Sequence, residues 1–199
     1  LGPAAWERVA ELTEHSDLAH RLQAVPSSAQ VRGLYFTSIV RLLEEEGKAR
    51  EFEQLFGMCD HAALGWYPAS DFLVRLAVGG ALLESPERVH RGMFRIGRLN
   101  ASAFCDSLLG KLMIRLFARD PHRLLRQASA AREQSFRFGR WNLQLTGSRS
   151  AVMNMYGEYV WIESNLLGAA VGTFEAIGMK VRVEYELDGP FDGKHYLIW

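Results

Sequence analysis

The hydrophobic spacing of this chain switches once, at Gly139, and that switch limits the folds open to it more than any single motif. Upstream, apolar residues recur every three or four positions, the spacing of an amphipathic helix; downstream they alternate every two, the spacing of a half-buried strand. Trp141-Asn-Leu-Gln-Leu-Thr146 and Ala151-Val-Met-Asn-Met-Tyr156 predict two strands joined by a turn at Gly147-Ser148. Trp161 to Ile177 reads as a helix, with Leu166, Leu167, Ala170, Val171, Phe174 and Ile177 on one stripe and Gly178 as its stop. Lys180-Val-Arg-Val-Glu-Tyr-Glu-Leu187 alternates again, and Asp188-Gly189-Pro190 turns the chain toward a last strand that ends His195-Tyr-Leu-Ile-Trp199. The expected fold class is α+β: a helical N-terminal two-thirds followed by a ββαββ module with a four-stranded antiparallel sheet.

The helical part has its own punctuation. Pro3 to Gln23 is helix-like, Pro26-Ser27-Ser28 interrupts it, and Ser28 is a candidate N-cap for a helix running from Val31 to Gly47. Gly65-Trp66-Tyr67-Pro68 reads as a turn-bearing connector, Ser70-Asp71 opens an apolar helix from Phe72 to Leu83, and Pro86 starts the next. Gly79-Gly80 lies inside the apolar run. Each glycine costs about 1 kcal/mol relative to Ala in a helix, so the pair predicts a kink or the close approach of another backbone. Phe104, Leu108, Leu109, Leu112, Met113 and Leu116 predict a further amphipathic helix, and Asp120-Pro121 separates it from one that reaches Arg137. At roughly 150 residues per domain, the chain divides into an N-terminal helical arm, 1–30, and one α+β ligand-binding-like domain, 31–199.

Charge and cysteine usage exclude several functions. With 23 basic and 23 acidic side chains the formal net charge is +0, so there is no global field to recruit nucleic acid. Basic charge gathers in a stripe of Arg115, Arg119, Arg123, Arg126 and Arg132, expected as solvated surface, with a phosphate or acidic partner as its functional alternative. The most apolar stretch, Leu73 to Leu83, contains Arg75 and is shorter than the roughly 18 residues of a membrane span. The first residues lack the basic and apolar regions of a signal peptide. Cys59 and Cys105 form no CxxC pair, which points to free thiols in a reduced, cytoplasmic protein.

Nothing in the chain carries catalytic spacing. G-x-S-x-G, H-E-x-x-H, the P-loop and G-x-G-x-x-G are absent, the six histidines are dispersed, and Glu44, Glu45 and Glu46 point in different directions on a helix. Neither catalysis nor a metal site is expected. The aromatic residues are numerous for a small core; filling the space between a helix layer and a sheet is their plain reading, and an apolar pocket for a flat or lipid-like ligand, or a dimer surface, is the functional alternative.

Val31-Arg-Gly-Leu-Tyr-Phe-Thr-Ser-Ile-Val, Tyr67-Pro68-Ala-Ser-Asp-Phe-Leu, Phe138-Gly139, the glycine-bearing helix and Tyr196-Leu-Ile-Trp199 together resemble a Myxococcales-restricted paralogous family of unknown function, over about residues 31–199. That family's layout is similar to the fold shared by haem-nitric oxide binding domains, four-vinyl-reductase-type sensor domains and TRAPP subunits. The resemblance implies a ligand, a lipid or nothing between helices and sheet. In the haem subgroup it implies a proximal His on a helix and, about 30 residues later, a Tyr-x-Ser-x-Arg motif that binds the propionates. The nearest match is Glu133-Gln-Ser135-Phe-Arg137, with Glu133 in place of Tyr; 30 positions earlier stand Phe104 and Cys105 rather than His.

The candidate ligand-binding residues are therefore Phe104, Cys105, Ser135, Arg137, Arg140 and Trp141, with Gly168 and Gly172 leaving a groove on their helix. The function expected is a non-enzymatic regulatory or sensor module that binds a small apolar or anionic ligand, or a lipid, between helices and sheet. The alternative is a ligand-free homodimeric adaptor that contacts a signalling protein. The identity of any cofactor stays open.

Overall fold

Helix α5 (Ala69–Leu83) is apolar on almost every side, and a helix of that kind must be surrounded by others. The computed structural model describes residues 1–58, 60–106 and 120–199, with 101–106 as helical backbone alone. Cys59 and the stretch from Ser107 to Arg119, which carries most of the amphipathic pattern after Asn100, lie outside the described residues. The chain forms two compact units, Leu1–Ile96 and Gly97–Trp199, that divide inside a helix.

In the first unit α5 is packed by α1 (Pro3–Thr13), α2 (Leu18–Ala24), α3 (Leu34–Glu45) and α4 (Ala49–Phe56), whose buried residues include Val9, Leu12, Leu18, Ile39, Leu43 and Phe52. The stretch 1–30 thus contributes to the same core as α5. The helix expected from Val31 starts three residues later, because Gln30–Arg32 forms a short strand, β1, paired antiparallel with β2 (Trp66–Pro68). The cause lies at Gly33. Its N–H donates to Gly65 O at 3.0 Å, and a Cβ there would lie 2.2 Å from Ala62 O, so the loop 62–65 closes directly on the backbone. The expected connector Gly65 to Pro68 is accordingly part of a two-stranded ribbon.

The glycine pair in α5 shows the second of its two expected uses. A Cβ on Gly92 of helix α6 (Val89–Asp106) would sit 2.0 Å from Gly80 O, and one on Gly80 would sit 2.8 Å from Val89 O, so the two helices meet backbone to backbone.

The second unit has the ββαββ order. Helix α7 (Pro121–Ser135) is opened by Asp120, whose side chain accepts from Arg123 N at 3.1 Å, with Pro121 at its first position. Strands β3 (Arg140–Gly147), β4 (Ser150–Tyr156), β5 (Arg182–Leu187) and β6 (Gly193–Ile198) form one antiparallel sheet in the order β3-β4-β6-β5. Alternation puts Ala151, Met153, Met155, Gly193, His195 and Leu197 on the buried face.

Trp161 to Ile177 is less regular than its spacing suggests. One wide turn of π-helix (Ile162–Leu166) leads into α8 (Leu167–Glu175). A Cβ on Gly97 of α6 would stand 1.9 Å from Asn165 O, and one on Gly172 of α8 would stand 2.3 Å from Arg98 O. Helix α6 therefore meets the π-turn and α8 backbone to backbone at these two glycines.

Candidate functional site

Four of the residues that sequence reasoning placed near a ligand lie close in the chain to a feature it missed. Arg132, in the last turn of α7, is buried, and its Nη2 donates to both carboxylate oxygens of Glu158, at 2.6 and 2.8 Å, and to Phe138 O at 3.1 Å. Glu158 has no solvent exposure and also accepts from Trp141 Nε1 at 2.8 Å. Its own N–H donates to Phe191 O at 2.7 Å, tying the pair to the loop before β6. The guanidinium is walled by aromatic rings: Phe136 at 4.0 Å, Phe138 at 4.9 Å and Trp141 at 5.7 Å from the ring centroids. Arg132 Nε is buried without a hydrogen-bond partner. Burial pushes the Glu158 carboxyl up from its ordinary range, while Arg132 and Trp141 pull it down.

Local sequence explains the approach. Gly139 has φ +62°, and a Cβ there would lie 2.5 Å from Glu158 Oε1, so only glycine lets the chain turn from α7 into β3 across the carboxylate. Arg132 had been grouped with a solvated arginine stripe. It is instead an internal cation, because helical spacing places it on the same face as Leu124, Leu125 and Ala128. Arg123 and Arg126 are exposed, and Arg115 and Arg119 lie outside the described residues.

Around this pair stand four of the expected residues. Trp141 is half-buried and bonded to Glu158. Ser135 is half-buried at the end of α7, and Arg137 and Arg140 are exposed. The Arg140 guanidinium lies 5.1 Å from the Tyr156 ring. Next to them runs a row of aromatic rings, Phe136 to Phe138 at 5.6 Å, Phe138 to Tyr159 at 5.4 Å and Tyr159 to Phe191 at 5.2 Å, of which the last three are half-buried.

The other expected residues are elsewhere. Phe104 and Cys105 belong to the last turn of α6, and their side chains lie outside the described residues. Gly168 and Gly172 are both buried on α8, and the groove expected there is closed at Gly172 by the backbone of Arg98. Gly172 serves a helix crossing.

His195 occupies the centre of the sheet's buried face. Its Nε2–H donates to Ile162 O at 2.8 Å, a carbonyl of the π-turn, and desolvation lowers its pKa to about 4. The other imidazole of this unit, His122, has Nε2 3.2 Å from Gly147 O and its ring against Trp199. Among the described residues no group of three His, Cys, Asp or Glu is placed to hold a metal. Among them, too, no helix is long and apolar enough to cross a membrane.

Sequence reasoning missed Glu158 and Arg132. The available signal was a single carboxylate between Tyr156 and Trp161, in a stretch otherwise built of Gly, Tyr and Val.

Comparison with known proteins agrees with the fold. The profile of a family described as "Protein of unknown function (DUF2378)" matches residues 24–199. The structure is similar to the Fe(II) unliganded H-NOX protein from K. algicida, with a TM-score of 0.61 and 17% identity over 84% of this chain and 95% of that one. It is also similar to a triple mutant of an H-NOX protein from S. oneidensis in the Fe(II) ligation state, with a TM-score of 0.60 and 9% identity over 84% of this chain and 95% of that one. No curated protein is significantly similar in sequence.

Proposed function

We propose that this chain, which belongs to the DUF2378 family of proteins of unknown function, is a non-enzymatic regulatory module that takes a small apolar anion where α7 joins the sheet. The observations that support the reading are the half-buried aromatic strip Phe138, Tyr159 and Phe191 and the exposed Arg137 and Arg140, which flank Phe138 in the sequence. An aromatic body stacks on such a strip, and cations nearby in the chain attract an anionic group.

Haem is the guest that the H-NOX-like fold brings to mind, and the described residues do not fit one held against the sheet. Both imidazoles of the second unit already face backbone carbonyls, and α6 meets α8 by backbone contact at Gly172. Of the propionate motif that the resemblance implies, Ser135 and the exposed Arg137 are present, but Glu133 stands in place of the tyrosine. No step of the proposed function runs through haem.

The test uses 8-anilinonaphthalene-1-sulfonate, a flat apolar anion, with the purified chain. Saturable fluorescence enhancement with a raised melting temperature, both reduced in the Arg137→Glu/Arg140→Glu double variant, supports the site. Binding unaffected by that variant overturns it, as does a Soret band in the purified protein, which would return the function to haem.

A second reading, a homodimeric adaptor, is favoured by a separate observation: strand β5 ends the sheet with exposed Tyr185 and Leu187 on the otherwise covered face.

A further inference from the structure

The free edge of the sheet carries a sign pattern that matches only itself reversed. On the polar face, β5 and the two residues before it present Lys180, Arg182, Glu184 and Glu186, all exposed: two positive charges followed by two negative. On the other face, alternating with them, stand Val181 and Val183, half-buried, then Tyr185 and Leu187, 50% and 45% exposed. No described strand pairs with β5 on the side away from β6. Edge strands commonly carry charges that repel a second copy. Here the order of the charges does the reverse.

We propose that β5 pairs antiparallel with β5 of a second copy of this chain about a two-fold axis at Val183. In that register Lys180 faces Glu186 of the second copy, and Arg182 faces its Glu184. Each pair occurs twice, so all eight charges are opposed by the opposite sign. On the apolar face Val183 meets Val183 and Tyr185 meets Val181, an aromatic against a β-branched residue. Moving the axis to Glu184 sets two carboxylates face to face, and moving it to Arg182 sets two guanidinium groups face to face. The charges thus select one register as well as one orientation. A two-fold contact of this kind closes on itself and makes one eight-stranded sheet with a strand order symmetric about its middle.

The intrachain partners do not obstruct this. Arg182 bonds Glu184 two positions along the same strand, with side chains 74% and 55% exposed, and Glu186 bonds Lys194 at 3.2 Å and Tyr196 OH at 2.7 Å on β6. All keep solvent-facing atoms for a second partner. The opposite edge, β3, offers no match: its polar face presents Arg140, Asn142 and Gln144, a single charge. A six-residue strand contact is smaller than a standard interface, so the dimer belongs to the micromolar, reversible class.

The inference deepens the homodimeric reading and is independent of the anion site. Sedimentation equilibrium on the full chain, from one to several hundred micromolar, tests it with Arg182→Glu and Glu184→Arg. The wild type is expected to dimerise, and each single variant to weaken dimerisation at least roughly tenfold, because attractive pairs become repulsive. Mixed in equal amounts, the two variants are expected to associate with each other more strongly than either does with itself, since one then presents two cations where the other presents two anions. Circular dichroism establishes that both remain folded, and mixing them restores the contact whatever small loss of stability each carries. A wild type that stays monomeric throughout overturns both the pairing and the homodimeric reading. A wild-type dimer indifferent to both reversals, or a mixture no more associated than its components, overturns the β5 register and leaves a dimer through another surface.

Discussion

At the scale of single residues, His195 and Glu158, both buried in the second unit, lead to different predictions. His195 is neutral in the folded state, with a pKa of about 4 caused by desolvation, whereas in the unfolded chain imidazole titrates near its ordinary value of about 6.5. Between those values the unfolded chain binds more protons, so folding stability is full above about pH 6.5 and falls as the pH drops toward 4, by about 3 kcal/mol at most. Comparing urea denaturation of wild type and His195→Gln over pH 4 to 8 isolates this contribution: the Gln variant should lack that part of the acid loss, since its amide N–H can still donate to Ile162 O. Glu158 is a different case. Replacing it by Gln leaves the Arg132 charge buried without a counterion and should cost about 3 to 5 kcal/mol, whereas Arg132→Met/Glu158→Leu together should cost much less. Chemical denaturation of Arg132→Met, Glu158→Leu and the double variant forms a double-mutant cycle that gives the coupling. Neither residue could be read in advance from the sequence: an arginine in a helix and a carboxylate in a loop look alike whether solvated or buried, and what pairs Arg132 with Glu158 is the return of a chain segment 26 positions later.

At the scale of elements, periodicity carried the strands and most helices, because the alternation of buried and exposed residues is itself the cause of the β sheet and of the amphipathic helices. It did not carry β1, where three residues are too few to show a period and the decisive contact is the closing of 62–65 onto Gly33. Nor did it distinguish the π-turn from the α-helix that follows, since both keep apolar residues on the inner side. Glycines in helices were legible as close approaches, yet the partner was not: Gly80 meets Gly92, and Gly172 meets Arg98. Gly172→Ala puts a methyl 2.3 Å from a carbonyl oxygen, so α6 and α8 must separate. The expected cost is about 1 to 3 kcal/mol by thermal melting, against the slight gain that Gly→Ala brings in an unobstructed helix.

At the scale of the whole molecule, the balanced charge sets solution behaviour. With a sequence pI of about 7.2, light scattering across pH should show greatest nonspecific association near neutrality and less on either side, because net charge keeps copies apart. The strand-pairing dimer responds in a different way. Its charges are exposed, so raising salt from about 0.05 to 0.5 M should weaken it by shortening the screening length, while nonspecific association near the pI should respond far less. Sedimentation at the two salt levels separates them. The division of the chain was the least legible feature at this scale: the compact units part at Ile96 and Gly97, within the continuous helix α6, and a boundary inside a helix has none of the Pro, Gly or Ser runs by which linkers are read.

The carboxylate of Glu158 has one more consequence. A helix end that finishes on a cation ordinarily waits for an anion from outside, and its order then rises and falls with supply. Here the counter-charge is encoded in the same polypeptide, so the junction is set at synthesis and stays set in starvation or plenty. A ligand taken as proposed above would act beside that junction rather than through its assembly.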